Sequence, residues 1–162
     1  MLQIERYQML PDGRSFVECR GLHRFRVRAH GMMDGYVIAN VEKIEDVSLS
    51  DEEQLEIEET SAPAPPNDDP ASQLARRPTN DLRDSLVDFI TRARQQSARW
   101  FSNRLLETYG EPPDDPATLP YWLAAVLPLV DDEKYRVIPT DSIRQRLKIA
   151  TRWVHRIESQ RW

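Results

Sequence analysis

Along Leu2 to Asp46 apolar residues alternate with polar ones in short runs, and from Thr79 onward they recur at three- and four-residue spacing. The first pattern is that of a half-buried antiparallel sheet and the second that of amphipathic helices. In the first segment Phe16, Val17, Phe25, Val27, Tyr36, Ile38, Val41 and Ile44 are aromatic, β-branched or aliphatic. Their period of two predicts three or four antiparallel strands with one face on a core. Pro11-Asp12-Gly13 predicts a turn, because proline presets φ, aspartate can accept from the backbone ahead, and glycine takes positive φ. Gly21, and then Gly31 to Gly35 with Asp34 between them, predict the next two reversals. Arg24, Arg26 and Arg28 occupy alternate positions, which predicts one basic strand face.

The helical pattern begins at Thr79-Asn80-Asp81, where polar caps and an acid suit the positive end of a helix dipole. Leu82, Leu86, Phe89, Ile90, Ala93, Ser97, Trp100, Phe101 and Leu105 then predict a single long helix to about Tyr109, ended by Gly110 and Pro112-Pro113. Pro120 opens a short, nearly all-apolar helix through Leu127 that must be buried on most sides. Thr140 or Asp141 caps a last helix whose inner face is Ile143, Leu147, Ile149 or Ala150, Trp153, Val154 and Ile157. The predicted class is α+β, with an antiparallel β-rich part over 1–47 and a small helical bundle over 79–162.

Between these parts the composition changes. Residues 42–59 hold nine acids against one lysine, and 61–70 add four prolines, which predicts a disordered acidic linker over 48–78. The net charge of -5 argues against a surface given over to nucleic acid. One cysteine, Cys19, excludes an internal disulfide and fits a reducing, intracellular compartment, cytoplasmic or nuclear. The apolar run at 121–130 is interrupted by Pro128 and falls short of the roughly 20 residues a bilayer crossing needs, so no membrane span is expected. The N-terminus has no secretory pattern. "MLQIERYQML" instead reads as the inside of a strand, so the chain is expected to start in mid-domain.

The sequence contains no GxxxxGK[ST], GxSxG, HExxH or CxxC pattern, which leaves no site for a cradled nucleotide, an elbow serine or a zinc centre. Cys19, His23 and His30 are the nearest approach to a nucleophile cluster, yet no third group marks itself as an orienter. Strand alternation already accounts for all three. No catalytic, cofactor-binding or metal residue is assigned, and no cofactor is expected. The last helix is basic, with Arg144, Arg146, Lys148, Arg152, Arg156 and Arg161 against Glu158. It lacks the interleaved aromatics of a base-stacking surface.

The order of features is more specific than any single one. The Pro11-Asp12-Gly13-Arg14 turn, Gly21 with Arg24, Phe25 and Arg26, the Gly35-Tyr36 strand opening, the Trp122-Leu123 helix ending near Pro128, and Arg144 with Arg146-Leu147 together resemble the N-terminal substrate-binding domain of LON proteases. The form most resembled occurs in eukaryotic, including fungal, LON-domain proteins that also carry RING fingers. The resemblance covers the chain apart from 48–78 and lacks the strands that open a full domain, as an N-terminal truncation would. It implies a partial LON pseudo-barrel followed by a helical bundle. Its implied role is non-catalytic: recognition of substrate or partner proteins for an ATP-dependent protease or a ubiquitin ligase. The alternatives are a fragment of an ATP-dependent protease or peptidase without its catalytic part, or an RNA-binding module using the strand arginines.

Overall fold

The computed structural model describes residues 1–63, 69–98 and 100–159. The chain separates into two units, Met1–Glu45 and Asp46–Trp162. The architecture is α+β, as the pattern predicts.

The first unit holds four strands, β1 (Leu2–Met9), β2 (Ser15–Gly21), β3 (Phe25–Met33) and β4 (Tyr36–Lys43). They form two antiparallel two-stranded sheets, β1 with β2 and β3 with β4. Pro11 to Arg14 close the first hairpin: the Leu10 N–H donates to Arg14 O at 2.7 Å, and the Gly13 N–H to Leu10 O at 3.0 Å, with Gly13 at φ 84°. The second hairpin turns on Asp34 (φ 51°) and Gly35 (φ 84°). Positive φ at both central residues is the geometry that matches strand twist in a two-residue loop. Gly31 lies inside β3 opposite Ile38 and makes no reversal.

Each sheet carries one irregularity, between Ile4 and Arg6 in β1 and between Val27 and Ala29 in β3. The second shifts Arg28 out of the alternation that would have aligned it with Arg26. Arg24 precedes the strand, where its carbonyl accepts from the Ile44 N–H at 3.1 Å. The expected half-buried alternation is also absent, since every residue of the four strands is exposed. With two strands per sheet, both faces stay open.

The second unit holds α1 (Leu49–Ser61), α2 (Pro70–Ala75), α3 (Thr79–Gln95), α4 (Asn103–Tyr109), α5 (Leu119–Val126), α6 (Asp131–Tyr135) and α7 (Ile143–Ser159). Its core is Leu82, Leu86, Phe89 and Ile90 of α3, Leu119, Trp122, Leu123 and Val126 of α5, and Leu147, Ala150, Trp153 and Val154 of α7. Each fully buried leucine contributes about 1.5–3 kcal/mol relative to exposure.

Two expectations are corrected along these helices. The predicted long helix over 79–109 is broken into α3 and α4. Ser97 takes φ 50°, its N–H donates to Arg94 O at 3.2 Å, and the Ala98 N–H reaches back to Ala93 O at 3.0 Å. This is a left-handed helix terminus with a buried alanine after it, built without the usual glycine. Ser102 starts α4 by accepting from the Leu105 N–H at 3.4 Å. The turn carries Trp100 onto Phe89, stacked with centroids 5.6 Å apart, a contact a straight helix would forgo. The cap of α7 is neither Thr140 nor Asp141 but Ser142, whose Oγ accepts from the Gln145 N–H at 3.1 Å.

The stretch 48–78, which composition marks as a disordered linker, carries α1 and α2. Residues 64–68 of it lie outside the described residues. Ser48 caps α1 by accepting from the Asp51 N–H at 3.2 Å, and Asp69 caps α2 by accepting from the Ser72 N–H at 2.7 Å. Of the acids that suggest a disordered linker, Glu59 finds its counter-charges, Arg144 and Lys148, on α7.

Candidate functional site

Cross-strand pairing decides which side chains share a face of each hairpin. In the first, Ile4 opposes Cys19, Tyr7 opposes Val17 and Met9 opposes Ser15. The bulge at Glu5 keeps these apolar residues in phase along one face. The opposite face pairs Gln3 with Arg20, Arg6 with Glu18 and Gln8 with Phe16. In the second hairpin Val27 opposes Val41 and Met32 opposes Val37 on one face, while Arg26 opposes Glu42 and Met33 opposes Tyr36 on the other. Met32 and Val37 are 69% and 68% exposed, and Leu2 and Met9 68% and 66%. Isolated exposed apolar residues are ordinary, whereas contiguous rows of them mark an interaction surface.

Three strand arginines are partnered within their own sheets. Arg20 pairs with Glu5 at 2.5 Å, Arg6 with Glu18 at 3.6 Å, and Arg28 with Glu42. At the turn Arg14 Nε donates to Asp12 Oδ2 at 2.7 Å, and the Arg14 N–H to Asp12 Oδ1 at 3.1 Å. The Arg14 side-chain bond, then its backbone bond, hold the Asp12 carboxyl below the usual carboxylate range. Of the residues singled out in the sequence, Pro11, Asp12, Gly13 and Arg14 form this turn and Gly21 ends β2 opposite Leu2. Arg24 joins the two hairpins, Phe25 and Arg26 open β3, and Gly35 and Tyr36 lie at the β3–β4 reversal. Cys19 is a free, exposed thiol. The His23 carbonyl accepts from the N-terminal amine at 2.8 Å, and His30 opposes Ala39. The first hairpin holds Cys19 and the second holds His30.

Trp122, Leu123 and Pro128 belong to the other unit. Leu123 is fully buried, and Trp122 packs in the core while its Nε1 donates to Gly110 O at 3.1 Å. Pro128 is exposed just beyond the end of α5. Trp122 and Leu123 are therefore framework rather than a contact surface.

A feature that sequence reasoning missed lies along α7. Arg144 and Arg146 are 0% exposed and Lys148 2%, although the sequence shows them only as part of a basic helix. Their acids are Glu59 of α1 and Asp46, three residues before that helix. Arg146 makes a bidentate pair with Asp46, Nη1 to Oδ1 at 2.5 Å and Nη2 to Oδ2 at 2.7 Å, and lies 5.1 Å from the Tyr121 ring centre. Arg144 Nε donates to Glu59 at 2.5 Å, its Nη1 to Thr79 Oγ1 at 3.1 Å and its Nη2 to Ala75 O at 2.7 Å. Lys148 Nζ donates to the same Glu59 oxygen, and Gln145 Nε2 donates to the other at 3.0 Å.

Two further acids of α1 serve helix ends. Glu52 accepts from the Ile143 N–H, from the Arg144 N–H at 3.3 Å and from the Ser142 hydroxyl at 3.1 Å. Glu56 accepts from the Thr79 N–H at 2.9 Å. A carboxylate near a helix N-terminus gains both the orphan donors and the dipole. Glu52, Leu55, Glu56 and Glu59 follow the i, i+3, i+4, i+7 spacing of one helix face, but three of the four are acids. A search for apolar periodicity passes over such a face; the signal was the spacing of the acids rather than their number.

Electrostatics follow from two cations sharing one carboxylate. Burial works to raise the Glu59 pKa, but the Lys148 and Arg144 hydrogen bonds outweigh it and hold it below the usual value. Burial pulls Lys148 below the usual lysine value, more than Glu59 lifts it, and neighbouring Arg144 adds to the fall. Burial would also lower Arg146, yet the bond to Asp46 keeps it raised.

Among the described residues no group of three or more His, Cys, Asp and Glu is placed to hold a metal ion, and no helix is long and apolar enough to cross a membrane. The features brought together are thus a pair of hairpins with open apolar faces and a helical unit closed by charge. A model of the ATP-dependent protease La (LON) substrate-binding domain matches residues 1–156, and the chain belongs to that family.

Proposed function

We propose that the chain recognises polypeptide, as the non-catalytic substrate- or partner-binding part of a system whose chemistry is supplied by an ATP-dependent protease or a ubiquitin ligase. The observation that carries this reading is the exposure of both hairpins: apolar rows such as Ile4, Tyr7, Val17 and Val27, Val41, Met32 face outward on two-stranded sheets. An extended segment adds to such a sheet by main-chain bonds along an open edge and by alternate side chains against the apolar face. Unfolded chains supply both along their length, whereas folded proteins keep most strand edges paired and most large apolar side chains buried. The in-sheet pairing of Arg6, Arg20 and Arg28 with Glu18, Glu5 and Glu42 supports polypeptide over RNA, because a phosphate backbone would have to displace those acids. The free thiol of Cys19 supports work in a reducing, cytoplasmic setting.

Fluorescence anisotropy of a labelled, reduced and carboxymethylated polypeptide titrated with the full chain tests this reading. Saturable binding that persists at high salt is expected. Binding no tighter than to a folded control protein contradicts it.

A further inference from the structure

We propose that α1 is a releasable strap, and that the groove of α7 beneath it is an acceptor for an acidic helix carrying the spacing Glu-x-x-Leu-Glu-x-x-Glu. In this chain the occupant is the strap itself. No residue of α1 is buried, so the helix is held by its carboxylates rather than by an apolar seam. Glu52 seats on the N-terminus of α7, Glu56 on that of α3, and Glu59 between Arg144 and Lys148. The groove is built for charge: Arg144 and Lys148 are buried cations with one carboxylate between them, and Arg146 beside them is held by Asp46.

When the strap leaves, Arg144 keeps its bonds to Thr79 Oγ1 and Ala75 O, and Glu59 and Lys148 regain water. Lys148 does not stay buried without Glu59, because an uncompensated buried charge is more costly than a hydrated one. Strap opening is therefore a local event, separable from unfolding of the core. Another acidic helix with matching spacing competes for the vacated groove through the same three seats. This proposal does not depend on the hairpins.

Amide exchange of the full chain tests the first half. In the wild-type chain the amides across 52–61 are expected to exchange at least about 10-fold faster than those of Leu86 to Ala93 and Leu147 to Val154, and Glu59→Gln to speed strap exchange about 10-fold further. Leu55→Ala is expected to change strap exchange by less than about 3-fold, as fits a half-exposed side chain. Unchanged strap protection in Glu59→Gln, strap amides as well protected as the core in the wild-type chain, or equal opening by Leu55→Ala would each overturn the proposal. For the second half, a labelled peptide of residues 46–61 is expected to bind the Glu59→Gln chain saturably and to be displaced by unlabelled peptide. A peptide carrying the Glu59→Gln change that binds equally well overturns the claim for the groove.

Discussion

Arg146 grips Asp46 with both ends of its guanidinium, across a sequence separation of 100 residues, while itself fully buried. The Thr140 carbonyl accepts a further bond from Nη1 at 3.0 Å. The pair ties the entry of the helical unit to the first turn of its last helix.

Removing one partner of such a pair leaves a charge in a poor place. A fully buried pair loses about 3–5 kcal/mol when one member is deleted, but the Asp46 side chain retains 31% exposure, and water can reach it. Asp46→Asn is expected to destabilise the chain by about 2–3 kcal/mol, and Asp46→Asn with Arg146→Met to recover most of that loss. Urea midpoints of the single and double variants check both values.

Acid should weaken the fold through Glu59. Its folded pKa lies below the ordinary 4.5, so its contribution is complete above that value and is lost as pH falls through the folded pKa. Lys148 acts in the opposite range: its folded pKa lies below 10.5, so the folded state sheds the proton first. Stability from this group rises with pH between the lowered value and 10.5. Urea midpoints from pH 3 to 10 are expected to show a falling acid limb that flattens in Glu59→Gln and an alkaline rise that is absent in Lys148→Met.

Trp122 bonds its indole N–H to Gly110 and packs 6.4 Å from Phe101, which continues through Trp100 to Phe89. Trp122→Ala is expected to cost about 3–5 kcal/mol and Trp122→Phe less, because the ring contact survives. Thermal melts followed by near-ultraviolet circular dichroism check the order.

Gly35 takes φ 84° with open space around its α-carbon, so an added methyl group meets backbone strain and no clash. Gly35→Ala is expected to cost about 1–2 kcal/mol, felt by the β3–β4 hairpin alone. Faster proteolysis between Phe25 and Lys43, with the helical core unchanged, is the expected readout.

Sequence patterning was informative where local chemistry decides structure. The Pro11–Gly13 and Asp34–Gly35 reversals follow from residues that prefer those backbone angles, and α5 follows from an apolar run too dense to be a surface. Leu82, Leu86, Phe89 and Ile90 repeat at core spacing and form the core. What escaped depends on partners remote in sequence. The burial of Arg144 and Lys148 is not legible in a basic helix because their partner, Glu59, lies 85 and 89 residues away. The acids of α1 read as disorder for the same reason. The break at Ser97 escaped because its periodicity continues past the turn, and the reward for turning is a ring stack that sequence spacing does not show. The exposure of the strands escaped because alternation predicts two faces but not whether anything covers one.

The most direct test of polypeptide recognition by the hairpins is amide exchange of the full chain with and without saturating reduced, carboxymethylated polypeptide. The account predicts added protection within Leu2–Gly21 and Phe25–Lys43 and none in α3 or α7. Protection confined to the helical unit, or absent from both hairpins at saturation, would contradict it.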